Sequence, residues 1–298
     1  MGFGEKIFQT LFLPVQKLPL GFHYAFGKVV SWLAGSVMQY RKDVVTINLA
    51  RSFPEMKRKE IKAHVKGFYN HLGELVAEAL WFGGSKGSPG RLAASGICRY
   101  DNPELIADLY ERTPSVMVLN SHFGNWELMG GFLEYIGKDV PFGKDDVAVV
   151  YKRLASSFWD EFLASNRCAP IENFQGYVES REVLRYAVKN RGKKKVYVFS
   201  TDQYPYRYAS KHEISSFMHQ KTVAMTGGAA LASKMGMSVV YMGMHRESKG
   251  HYRVRLRTVC EDASLMTPEE IMEKYYGFLE EDVNAQPDNY LWSHNRWK

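Results

Sequence analysis

After the apolar run Ser115–Leu119 the chain reads Asn120-Ser-His122-Phe-Gly124-Asn-Trp-Glu127, a polar turn that opens into a helix-like stretch. An imidazole beside a carboxylate is the equipment of general-base catalysis: one ring nitrogen takes a proton while the other is steadied by the acid. On one continuous helix, five positions would leave the two side chains about 140° apart. The pair can therefore meet only if His122 precedes the helix and Glu127 lies in its first or second turn. In that arrangement Glu127 is expected to reach back to the ring, fix its tautomer and stabilise the imidazolium. A nearby helix N-terminus would oppose protonation of His122 while Glu127 favours it, giving a base suited to neutral pH. Gly124 allows close backbone approach in the turn. A capping histidine beside a solvated glutamate has the same local spelling, so the strand-turn-helix setting carries the catalytic reading.

Positioning these residues requires a scaffold, and the pattern supplies one. Apolar residues Ile61, Val65, Phe68, Leu72, Leu75 and Leu80 predict a long amphipathic helix over Lys57–Phe82, stopped by Gly83 and Gly84. Strands are expected at Ser115–Leu119, Val147–Tyr151, Val196–Ser200, Ser238–Met244 and Tyr252–Val259. Helical patterns lie between most of them, at Trp126–Ile136, Ser156–Ser165, Tyr177–Lys189 and Thr222–Met235. This alternation predicts an α/β fold with a mixed, mostly parallel sheet flanked by helices, the last two strands forming an antiparallel hairpin. Sites in such sheets gather at strand ends, which is where His122 stands.

The chain of 298 residues is 45% hydrophobic and 24% charged, an ordinary globular balance. Its 39 Lys and Arg against 32 Asp and Glu give a net charge of +7, suited to an anionic partner. No nucleic-acid-binding module is recognisable, so nucleic acid is not an expected partner. Cys98, Cys168 and Cys260 are odd in number and far apart, which fits a reducing, cytosolic setting and neither a metal pair nor a disulfide framework. From Ile7 to Tyr40 the chain is rich in Phe, Leu, Val and Trp, yet Pro14, Lys17, Pro19, His23 and Lys28 break it into runs too short to span a bilayer. An N-terminal amphipathic membrane-associating helical segment over residues 1–45 is expected, with Phe22, Phe26 and Trp32 in the acyl boundary and Lys17, Lys28, Arg41 and Lys42 among phosphates. The same pattern suits a helix packed on the core. Residues 46–298 form the α/β domain.

The string from His122 to Glu127 resembles the His-x4-Asp/Glu motif of the glycerolipid acyltransferase superfamily, in the form used by the bacterial lipid A late acyltransferase family. The resemblance extends along the chain in order. It includes Asn48-Leu-Ala-Arg-Ser-Phe-Pro54, Val150-Tyr-Lys152-Arg153, Asp202-Gln203, Thr222 with Gly227 to Ala232, and the terminal Tyr290-Leu-Trp-Ser-His-Asn-Arg-Trp-Lys298. It implies attack of a lipid hydroxyl on an acyl thioester, usually carried by acyl carrier protein, with no metal or organic cofactor. The acceptor it implies is a hydroxyl on a lipid A precursor or related glycolipid, at the cytoplasmic face of the inner membrane. His122 and Glu127 are then the expected catalytic residues, and Lys152 and Arg153 the expected grip on acceptor phosphate, with Arg167 a lesser candidate. Asp202 and Gln203 are expected to shape the pocket or orient those cations. The chain departs from the family pattern in its interrupted N-terminal segment and in having Ser216-Phe-Met-His219 where the family has a Phe-Phe-Gly element.

Other signals fail. Gly83-Gly-Ser85-Lys-Gly87 spells a nucleophile elbow but follows a helix. Glu74 and Glu78 read as a solvated face, and the histidines at 64, 71, 212 and 219 lack metal-ligand company. Lys193 to Lys195 and the Arg253, Arg255, Arg257 stripe suit either anion binding or a solvated surface. Within the same chemistry a lysophospholipid, aminolipid or mannolipid acceptor remains open. A thioester or ester hydrolase and a noncatalytic membrane-binding relative are the alternatives of other classes.

Overall fold

In the computed structural model, residues 14–137, 139–154 and 156–297 are described. Helix α1 (Leu20–Trp32), continued by a π-helical turn (Leu33–Val37), is followed by α2 (Lys42–Ser52) and the long α3 (Arg58–Gly83). Then come α4 (Arg91–Ser95), β1 (Cys98–Tyr100), α5 (Pro103–Arg112) and β2 (Val116–Asn120). A 3-10 helix (Trp126–Gly131) runs into the single turn α6 (Phe132–Tyr135), before β3 (Val147–Tyr151), α7 (Ser157–Arg167), β4 (Tyr177–Glu179) and α8 (Val183–Lys189). The chain continues through β5 (Val196–Ser200), β6 (Lys211–Phe217), β7 (Gln220–Met225) and α9 (Gly227–Met235). It finishes with β8 (Ser238–Ser248), β9 (His251–Cys260) and α10 (Pro268–Ala285).

Seven strands form one sheet in the order β1-β9-β8-β2-β5-β3-β4. Every neighbouring pair is parallel except the β8/β9 hairpin, so the expected mixed, mostly parallel sheet is what the chain builds. The central strand β2 is buried at all five positions, as a parallel strand covered on both faces must be. Its alternate residues serve two cores. Met117 and Leu119 pack with α2, α9 and α10, whereas Val116 and Val118 pack on the other face with Ile106 and Leu109 of α5 and with Leu128. Helix α3 bridges both, giving Ile61, Val65 and Phe68 to the first and Trp81 and Phe82 to the second.

Three expectations change. Tyr177–Lys189 divides into β4 and α8, and Thr222–Met235 into β7 and α9. Strands β6 and β7 form a separate two-stranded hairpin. Glu74 and Glu78 do not form a solvated pair. Glu74 holds Arg246, and Glu78 is fully buried, accepting hydrogen bonds from Tyr24 on α1 and from Asn125 in the His122 loop, each at 2.6 Å. Burial pushes the Glu78 carboxyl above the usual range, against the pull of those two donors. Gly83 to Gly87 is a helix end and turn, not a strand-to-helix elbow. No helix among the described residues is long and apolar enough to cross a membrane.

Candidate active site

The register of the sheet brings the site together. Asn120 of β2 pairs with Ser200 of β5. Two residues past each paired position stand His122 and Asp202, so two parallel strands deliver the imidazole and the carboxylate to one spot. His122 Nδ1 lies 2.8 Å from Asp202 Oδ1. An ionised carboxylate only accepts, so Nδ1 carries the proton and Nε2 is left with a lone pair. Nε2 in turn receives the Gln203 side-chain amide at 3.2 Å. The Trp126 ring stands edge-on to the imidazole at 5.0 Å. His122 keeps 20% of its side chain exposed whereas Asp202 keeps 2%. Burial acts to raise the Asp202 pKa, but the adjoining His122 and, more weakly, Arg296 hold it below the ordinary aspartate value.

The expected His122–Glu127 contact is not made. The turn after His122 leads into a 3-10 helix, capped by the Asn125 side chain accepting from Glu127 N–H at 3.2 Å, and this points the Glu127 carboxylate at Arg167. Arg167 grips it with two parallel bonds, Nε at 2.8 Å and Nη2 at 2.6 Å, and Trp126 Nε1–H donates a third at 3.1 Å. Burial raises the Glu127 pKa, but the bonds and charge of Arg167 outweigh it and hold the carboxyl low, with His122 close enough to add a smaller pull. Arg167 is thus committed to a protein carboxylate through two of its nitrogens. Asp202 and Gln203, expected to shape the pocket or orient the cations, hold the ring of His122, and Gln203 also lines the cavity.

Gly124 fits its expected use. It adopts φ +70°, and a Cβ there would stand 2.2 Å from the Met244 carbonyl oxygen. The loop it belongs to is edge-paired with the chain's end: Phe123 bridges Tyr290, Gly124 N–H donates to Asn289 O at 3.0 Å, and Leu291 N–H donates to His122 O at 3.1 Å. Several ordered sequence matches meet behind this loop. Asn48 donates to Trp292 O at 2.9 Å and His294 O at 3.1 Å. Trp297 donates to Thr222 Oγ1 at 2.9 Å, and His294 Nε2 accepts from Tyr204 N–H at 3.1 Å. Burial drives His294 down to about 4, so it is neutral at working pH. Arg296 is buried with Nη2 on Tyr276 OH at 2.7 Å.

A cavity of about 950 Å³ opens at His122. Its depth is apolar, lined by Val118, Val196, Val198 and Met242 of the sheet and by Phe132 and Ile136 above them. Its mouth is polar and basic, with Lys152, Arg153, Arg167, Arg181 and Gln203 at or beyond the ends of parallel strands and α7. Lys152 Nζ stands 4.2 Å from the centre of the Tyr206 ring, and Arg153 is exposed, 3.8 Å from Asp160. Among the described residues no group of three or more His, Cys, Asp or Glu is arranged to hold a metal ion. The Arg253 and Arg257 side chains, open to either reading from sequence, are ion-paired, the first to Asp101 and Glu247 and the second to Glu281 and Asp282.

Sequence reasoning named His122, Glu127, Lys152, Arg153, Arg167, Asp202 and Gln203 but joined His122 to Glu127 instead of Asp202; the Trp126 contact, Arg181 at the cavity mouth and Tyr276 beside Arg296 were not foreseen. The missed signal was a parallel: each of two strands ends in a small or amide polar residue, Asn120 or Ser200, with a titratable residue two positions on.

The α/β sheet thus sets an imidazole–carboxylate pair at its strand ends, with His122 lining a cavity that has apolar sheet residues on one side and basic residues on another. The family model for bacterial lipid A biosynthesis acyltransferases matches residues 7–298, and the chain belongs to that family. A comparison with curated proteins found no match.

Proposed function

We propose that the chain transfers a fatty acyl group from an acyl carrier protein thioester to a hydroxyl of a lipid A precursor or related glycolipid, at the cytoplasmic face of the inner membrane, without a metal or organic cofactor. The observation that carries this reading is the cavity that His122 shares with the apolar residues Val118, Val196, Val198 and Met242 of the sheet and Phe132 and Ile136 that cover them. A chain buried there ends with its carbonyl at the ring. His122 Nε2 removes the acceptor hydroxyl proton as the oxygen attacks the thioester carbon; when the tetrahedral intermediate collapses the carbon–sulfur bond breaks, and the imidazolium returns the proton to the departing thiolate. Asp202 holds the tautomer and balances the imidazolium.

In this mechanism Glu127 acts through Arg167. Clamped on two nitrogens, the guanidinium keeps a fixed place in the cavity wall and supplies positive charge where the oxyanion develops. Lys152 and Arg153 at the mouth take the acceptor's phosphate. The basic mouth favours a phosphorylated glycolipid over a neutral acceptor.

The test uses purified full-length protein with a labelled acyl group on acyl carrier protein or on coenzyme A, offered to phosphorylated glycolipid, lysophospholipid or no acceptor, with products read by mass spectrometry. Acylated glycolipid from the carrier-protein donor is expected. Release of free acid at the same rate with or without acceptor would make the chain a hydrolase instead.

A further inference from the structure

A second cavity, sharing no lining residue with the first, lies where α1 crosses α3. The crossing is tight: a Cβ on Gly27 would stand 2.4 Å from Gly73 O, and one on Gly73 would stand 2.3 Å from Gly27 O. Beside this backbone contact, with α2 on the far side, the cavity encloses about 920 Å³. Six cations line it: Lys28, Lys42, Arg58, Lys62, Lys66 and Lys249. Arg58, Lys62 and Lys66 recur every fourth residue and so form one row along α3. None of the six is ion-paired among the described residues. Lys42 Nζ rests on Gly35 O at 3.2 Å and Lys249 Nζ over the Tyr24 ring at 4.1 Å. The lining carboxylate, Glu74, is taken by Arg246 at 2.8 Å. Six like charges drawn into one concavity repel each other unless an anion joins them.

Next to the cavity α1 presents Phe22, Phe26, Val29 and Trp32 exposed, followed by exposed Val37 and Met38, and Trp32 itself lines the cavity. An acidic protein would meet the cations but leave this apolar stripe in water. A bilayer satisfies both, because its phosphates lie directly above hydrocarbon. We infer that the α1/α3 cavity binds the phosphate of an anionic bilayer phospholipid, whose acyl chains lie along the exposed face of α1. The site holds the enzyme on the membrane separately from acyl transfer at His122.

Co-sedimentation of the full-length protein with vesicles of phosphatidylcholine, alone or mixed with phosphatidylglycerol, tests this. The wild type is expected to prefer the phosphatidylglycerol vesicles. The triple variant Arg58→Gln, Lys62→Gln, Lys66→Gln should lose that partitioning by about tenfold or more. A charge-matched control on exposed residues at the end of α8, Lys189→Gln, Arg191→Gln, Lys193→Gln, should lose at most about twofold. Turnover on detergent-dispersed substrates should be the same in both, which keeps failure at this site distinct from failure of the acyl-transfer reading. Equal loss in the two triple variants would reduce the cavity to diffuse charge and overturn the proposal. So would unchanged vesicle binding together with lost retention on immobilised acyl carrier protein, which would make the cavity a protein-docking site.

Discussion

On one face of the sheet Met117, Leu119, Tyr197 and Tyr241 interlock with the helices in a continuous core; on the other, Val118, Val196, Val198 and Met242 look into about 950 Å³ of cavity. The same strands make both faces, and their side chains alternate between them. The difference lies in what covers each side. The packed face is closed by α9 and the long α10, with its Ile271, Tyr275 and Leu279 buried. The other face is covered by α5 and the end of α3 and, beside the cavity, by the short 3-10 helix and single turn over Trp126–Tyr135, which are too brief to fill it. The His122 loop is the start of that short cover, so a turn that fails to become a full α-helix both aims Glu127 at Arg167 and leaves room beneath.

Four substitution sets test this contrast, in order of expected effect. His122→Ala should lower turnover by on the order of 10³- to 10⁴-fold while leaving the thermal midpoint close to wild type. Asp202→Asn should cost about 10²- to 10³-fold through loss of the tautomer and of charge compensation. Glu127→Gln and Arg167→Gln should each cost about 10- to 10²-fold, and the double variant should be little worse than either single, since the two act as one unit. A fully additive double variant would separate Glu127 from Arg167. On the two faces, Met117→Ala should destabilise by about 2–5 kcal/mol without changing donor chain preference. Val198→Phe should move preference to shorter acyl donors at modest cost in stability. Exchange of those two outcomes would invert the assignment of the faces.

The smallest effect concerns pH. Burial lowers both His71 and His294 from 6.5 to about 4 in the fold. The unfolded chain therefore binds protons that the native state refuses, so stability is full above about pH 6.5 and declines as pH falls toward 4. His71→Gln with His294→Gln should flatten the thermal midpoint across that window, and an unchanged slope would place the acid sensitivity elsewhere.

Much of the scaffold was readable because its signals are local. The α3 helix and strands β2, β3, β5, β8 and β9 have apolar runs or periodicities that announce them. Strand β6, Lys-His-Glu-Ile-Ser-Ser-Phe, buries only Ile214 and Phe217 and has no clear alternation, so it was missed. Strands β4 and β7 were absorbed into the helices that follow them within a few residues. The residues of the candidate site were found, but their pairing was not. His122 and Asp202 are separated by 80 residues and meet only through the β2/β5 register. A reading confined to local spacing gave the histidine its nearest carboxylate, Glu127.

The identity of the carboxylate that fixes His122 is therefore the point to test first. Nitrogen NMR of protein labelled at histidine, with the His122 ring assigned by difference from a His122→Gln variant, reports which nitrogen carries the proton. The expected result is an Nδ1–H ring in the wild type and in Glu127→Gln, shifting toward Nε2–H only in Asp202→Asn. A ring that changes tautomer with Glu127→Gln and not with Asp202→Asn would contradict the account.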